Sequence, residues 1–127
     1  MKTIPLAVNG TLMRGLELNE NMRRAGASFA REDRTAPCYR LYSIDDVHPA
    51  MQRVSASGAP ISLEIWDVPV GAVAEILAQE PAGLCVGKVV LADGSIVLGV
   101  VGESVLCASG LDITRYGGWR EYLATKG

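Results

Sequence analysis

Aromatic side chains are scarce in this sequence: they make up 6% of its 127 residues, with a single phenylalanine. The core must therefore be built mainly from Val, Leu, Ile, Ala and Met, within an apolar share of 49%. Charge is thin as well, at 20% Asp, Glu, Lys and Arg, with 12 basic and 14 acidic residues and a net charge of -2. Such a balance excludes long-range attraction to nucleic acid or to an anionic membrane. The densest basic stretch, Arg23 to Arg34, is interrupted by Glu32 and Asp33 and has no aromatic interleaving to form a stacking platform.

Histidine occurs once, at His48, with no second histidine at ligand spacing. Neither a zinc site nor a catalytic triad is expected from it, and it is assigned to structure or surface. Cys38, Cys85 and Cys107 are an odd set without a CxxC pair, which argues against a disulfide framework and against a thiolate metal cluster. Cys85 and Cys107 lie in apolar runs and read as small core residues. The first apolar run stops at Asn9, too soon for a secretion signal, and no uncharged run is long enough to cross a bilayer. The expectation is a soluble, cytoplasmic protein of one domain, residues 1–127, without metal or cofactor. Low surface charge on an apolar-rich chain further predicts association with another copy.

What is present is an alternation of short extended and helical patterns. Thr3 to Val8 reads as a first strand that ends at Asn9-Gly10, with Pro5 confined to its start or to an edge. Leu18, Met22 and Ala25 recur at helical spacing, with Asn19 as cap and Gly26 as stop. Ala36 to Ser43 is extended, and Asp45 to Ser57 is a loop or a variable strand pair. Ile61 to Val68 alternates cleanly as a strand, and Ala72 to Gln79 is a short helix between Pro69 and Pro81. Leu84–Leu91 and Ser95–Val101 form a hairpin around Ala92-Asp93-Gly94. Their apolar runs imply burial on both faces, as in a closed or covered sheet. Glu103 to Leu106 reads as a brief strand, and Arg120 to Leu123 as a terminal helical turn. Trp119 and Tyr122 anchor an ending that covers a sheet edge or mouth. The class is α+β.

Chemistry concentrates at few positions. Asn9-Gly10-Thr11 follows a strand, where glycine with positive φ and successive free amides cradle an anion. Asn9 and Thr11 add donors, and Arg14 supplies a charge-assisted clamp. Glu80 extends the apolar stripe of Val73, Ile76 and Leu77, so it is either solvated at the helix end or partly buried. Burial would raise its pKa into the range of acid–base work. Glu64 stands mid-strand beside Trp66; it is either solvated or paired with an arginine, with Arg31, Arg34 and Arg40 as candidates.

Several segments together resemble the C-terminal domain of allophanate hydrolase. They are Val8–Leu12, Arg34–Tyr42, Glu64–Trp66, Pro81–Val89, Leu91–Gly94 and Asp112–Leu123. The resemblance implies a γ-glutamylcyclotransferase-like fold, a small mixed β-barrel with short flanking helices. In the full-length family enzyme a Ser-Ser-Lys amidase domain hydrolyses allophanate, and the small domain is associated with loss of carbon dioxide from N-carboxycarbamate. The resemblance thus implies a small carboxylated or amide substrate and a separately encoded amidase partner. Members of the wider cyclotransferase group carry a Tyr-Gly-Ser or Tyr-Gly-Thr loop. Here Asn9 replaces the tyrosine while Gly10 and Thr11 match. Their acid–base glutamate falls at Glu80, where allophanate-hydrolase domains usually carry an apolar residue. The expected catalytic residue is Glu80, and the expected substrate-binding set is Asn9, Gly10, Thr11, Leu12, Arg14, Arg34 and Tyr39. The alternatives are γ-glutamylcyclotransferase-like chemistry at Glu80 and a non-catalytic dimerisation or assembly module.

Overall fold

The structure is a computed structural model that describes residues 2–126. Two sheets carry it. The larger has five strands: β1 (Thr3–Val8), β2 (Ser28–Arg34), β5 (Ser62–Pro69), β6 (Leu84–Val90) and β7 (Ile96–Gly102), in the order β2-β5-β1-β7-β6. The smaller joins β3 (Tyr39–Ile44), β4 (His48–Arg53) and β8 (Leu111–Asp112) in the order β4-β3-β8. Four short helices connect or flank them: α1 (Asn19–Arg24), α2 (Val73–Ala78), α3 (Ser104–Ala108) and α4 (Trp119–Ala124).

The α+β class holds, but the barrel does not: both sheets are open. The outer strands β2 and β6 share no ladder and meet only through an isolated bridge, Thr35 to Leu91. The chain turns away at this corner. Cys38 N donates to Ala36 O at 2.8 Å across Pro37, and the next strand joins the other sheet. The apolar runs of β6 also overstate its burial, since most of its residues are only half-buried.

β1 is central, antiparallel to β5 from Thr3↔Pro69 to Val8↔Glu64 and parallel to β7 at Leu6↔Leu98 and Ala7↔Gly99. Pro5 precedes the β7 pairing, so its missing amide costs that ladder nothing. The hairpin between β6 and β7 is as expected, with Gly94 at φ 87° in the turn. One element has no counterpart in the sequence pattern, and another is of a different type. Ser28–Arg34 is a strand whose polar sequence hid it, because as an edge strand it exposes most of its side chains. Residues 104–108 form a helix rather than a strand. Asn19 opens α1 instead of capping it, and its side-chain amide donates to Leu12 O at 2.8 Å.

The core is a continuous apolar cluster from both sheets that includes Leu6, Val8, Leu41, Ile65 and Val89. Trp119 and Tyr122 of α4 are buried in it, at 2% and 3% exposure, as anchors of the chain's ending. Among the described residues no helix is long and apolar enough to cross a membrane.

Candidate functional site

Where β1 ends, the chain passes from the central ladder into a buried turn at residues 9–13. Two bonds shape the turn: Met13 N donates to Gly10 O at 2.9 Å, and Leu18 N donates to Thr11 O at 2.9 Å. The amides of Gly10, Thr11 and Leu12 donate to no acceptor among the described residues. Gly10 is needed for close approach and not, as expected, for a positive φ. A Cβ there would stand 2.6 Å from Cγ and Cδ of Pro49.

Glu80 faces this turn. It follows α2, its amide donating to Leu77 O at 3.0 Å, and the residue is half-buried. Oε2 is buried and has no hydrogen-bond partner. Burial without a compensating donor pushes the carboxyl up to about 7. Of the two placements open from sequence, solvated or partly buried, the structure takes the second.

The cavity between them is lined by residues 8–12, His48, Pro49, Glu80, Leu84 and Val100, and encloses about 10 Å³. That is roughly the room of one water molecule. His48, assigned from sequence to structure or surface, also lines this cavity. It is buried, and its Nδ1 lies 3.0 Å from Pro49 O. A carbonyl can only accept, so Nδ1 is the donor in this contact. Its place in the cavity depends on the packing of Pro49 on Gly10, a contact between distant parts of the sequence that leaves no local signal.

The remaining expected residues do other work. Asn9 lines the cavity, but its Nδ2 is committed to Val100 O at 2.9 Å. Tyr39 is a core residue whose hydroxyl accepts from Val90 N at 3.0 Å. Arg34 is exposed on β2 and lines a separate cleft of about 490 Å³.

Arg14 turns away from Glu80 and toward Glu64. Its amide donates to Glu64 Oε1 at 3.0 Å, its Nε to Oε2 at 3.2 Å, and its guanidinium stacks 3.6 Å from the Phe29 ring centre. Glu64 is 2% exposed and also receives Trp66 Nε1 at 3.1 Å and Arg120 Nη2 at 2.9 Å. Its arginine partners are thus Arg14 and Arg120, and not Arg31, Arg34 or Arg40. Burial alone would raise this carboxyl. The Arg14 amide, the Trp66 indole and the two guanidinium groups outweigh burial and hold it below the usual carboxylate value. Arg120 donates to Arg14 O at 2.6 Å as well, so α4, β5 and the segment after the turn are tied at one carboxylate.

Among the described residues no group of His, Cys, Asp and Glu has the arrangement of a metal site. Cys107 is buried, which pushes its thiol up to about 11 and leaves it protonated and unreactive. The fold thus brings the 9–12 turn and a carboxyl raised to about 7 to one small cavity of an α+β domain.

The family model for the allophanate hydrolase C-terminal domain matches residues 4–124, and the chain belongs to that family. The crystal structure of a uropathogenic E. coli-specific protein superposes with a TM-score of 0.96 at 55% identity, over 98% of each chain. Kluyveromyces lactis allophanate hydrolase matches with a TM-score of 0.92 at 28% identity, over 100% of this chain and 22% of that one. The urea amidolyase of Saccharomyces cerevisiae is 32% identical over 127 residues, 94% of this chain. The chain spans only 7% of the length of the curated relatives it matches.

Proposed function

We propose that the turn at residues 9–12 and Glu80 form a site for a small carboxylated, urea-derived anion, and that the reaction there is loss of carbon dioxide from N-carboxycarbamate supplied by a separately encoded amidase. The observation that carries this reading is the buried Glu80 Oε2 without a hydrogen-bond partner, on a carboxyl raised to about 7, in one cavity with three amides without acceptors. Membership of a family whose relatives include an allophanate hydrolase and urea amidolyases supports the substrate class.

In this reading the amides of Gly10, Thr11 and Leu12 hold the carboxylate that is retained. Protonated Glu80 delivers its proton to the substrate nitrogen as the C–N bond breaks. The bonding pair stays on nitrogen, carbon dioxide leaves, carbamate remains, and solvent reprotonates Glu80. Ionised Glu80 would repel the dianionic substrate, so the protonated form is the competent one. The cavity has the room of one water, so the substrate buries only one end and its body sits at the mouth.

The same carboxyl favours a second reading, γ-glutamylcyclotransferase-like chemistry. There ionised Glu80 takes a proton from the substrate α-amine, which attacks the γ-carbonyl. The two readings have opposite pH limbs. Decarboxylation should slow as pH rises through about 7, whereas cyclisation should accelerate. The water-sized cavity favours a third, a binding or assembly module without turnover.

The test couples a purified Ser-Ser-Lys amidase and allophanate to this protein and follows carbon dioxide release. Faster release, abolished in Glu80→Gln, is expected. No acceleration, together with no 5-oxoproline from γ-glutamyl substrates, rejects both catalytic readings in favour of the module.

A further inference from the structure

The larger cleft of about 490 Å³ lies among β2, β5, the β6–β7 turn and α4, and shares no lining residue with the Glu80 cavity. Its volume is in the range of small-molecule sites. Charge pairing leaves a specific remainder there. Glu32 pairs with Arg14 at 3.3 Å, Asp33 with Arg31 at 3.0 Å, and Glu64 with Arg14 and Arg120 at 3.2 and 2.9 Å. Among the described residues, Arg34 and Glu121 are the lining groups without an ion-pair partner.

These two unmatched charges stand beside the same residue. Arg34 is the cross-strand partner of Ser62 on the β2–β5 ladder. Glu121 comes from α4: its Oε1 and Ser62 Cβ lie 2.5 and 3.1 Å from the point where a Cβ on Gly118 would stand. Arg34 and Glu121 thus line the cleft from two walls on either side of Ser62, with no ion pair between them. Met13, Leu63 and Trp119, core residues of which only an edge is exposed, form the apolar part of the cleft floor.

We propose that this cleft binds a small zwitterion with an apolar side chain, its carboxylate on Arg34 and its ammonium on Glu121. Arg34 presents a planar fork that matches a carboxylate, Glu121 accepts from an ammonium, and the apolar part of the floor takes the side chain. Glu64, fully occupied by its four donors, forms a neutralised floor and not a competing anion. The assignment is independent of Glu80 chemistry.

The test is an amide-resolved NMR titration of the full chain with L-leucine, N-acetyl-L-leucine and L-leucinamide. L-leucine should shift the amides at 33–34, 62–63 and 119–121 saturably. Removing either ligand charge should weaken binding about fivefold, the scale of an exposed ion pair. Arg34→Gln should make leucine and leucinamide equivalent, and Glu121→Gln should make leucine and N-acetyl-leucine equivalent. Both residues are exposed, so the variants should retain the native spectrum elsewhere. The proposal is overturned if leucine gives no saturable shift. It is overturned equally if the three probes bind alike, or if the variants keep the wild-type preference.

Discussion

Glu80 is held at a cost to the fold. Its unfolded carboxyl titrates near 4.5 and its folded one near 7, so between those values the native state binds more protons than the unfolded state. Stability should therefore fall as pH rises across that window. At pH 8 Glu80→Gln should be more stable than wild type, on the order of 2 kcal/mol, with the difference vanishing below pH about 4.5. Urea unfolding at the two pH values measures this, and equal stability at pH 8 would show a well-solvated Glu80. Gly10 carries the opposite kind of constraint. Gly10→Ala drives a methyl into the Pro49 ring, at a cost of about 1–3 kcal/mol, and should displace Pro49 and His48 from the cavity. A variant with unchanged stability and an unshifted His48 ring resonance would refute that contact.

At the scale of elements, the Glu64 carboxylate joins α4 to β5 and to the start of the 14–18 segment. Its four donors leave no lone pair for a ligand, so its task is structural. Glu64→Gln keeps the shape but turns an NH2 toward two guanidinium groups, and should cost about 3 kcal/mol. The loss should appear in urea unfolding and in faster hydrogen exchange at the Arg14 amide; wild-type exchange there would refute the tie. Because this carboxyl is held below its ordinary value, its contribution is present at neutral pH and lost as pH falls below the usual carboxylate range.

For the whole molecule, the open sheets leave edges and apolar side chains outside. Val47, Val105, Ile96 and Leu111 are each more than half exposed. Together with the thin surface charge this supports a proposed homo-oligomer, and sedimentation at micromolar concentration should show a dimer. A monomer across that range would reject the proposal. Much of the architecture was legible in local pattern. The β6–β7 hairpin followed from Asp93-Gly94, α2 from its stripe between prolines, and β5 from its alternation. β2 was not legible, because an edge strand needs no apolar alternation to pair with β5. The barrel failed for a reason of the same kind, since closure depends on whether β2 and β6 meet, and neither sequence records the other.

The turn after β1 and the glutamate after α2 were marked as candidates by residue type and position, and the resemblance of several sequence segments to a family pointed to the same two places. Only tertiary structure decided that Glu80 is partly buried, that Arg14 serves Glu64 in place of an anion, and that His48 enters the cavity. Each of these rests on contacts between residues far apart in sequence. Burial, pKa and ion-pair choice are set by what the fold brings near, whereas turns, helices and hairpins are set by neighbours along the chain.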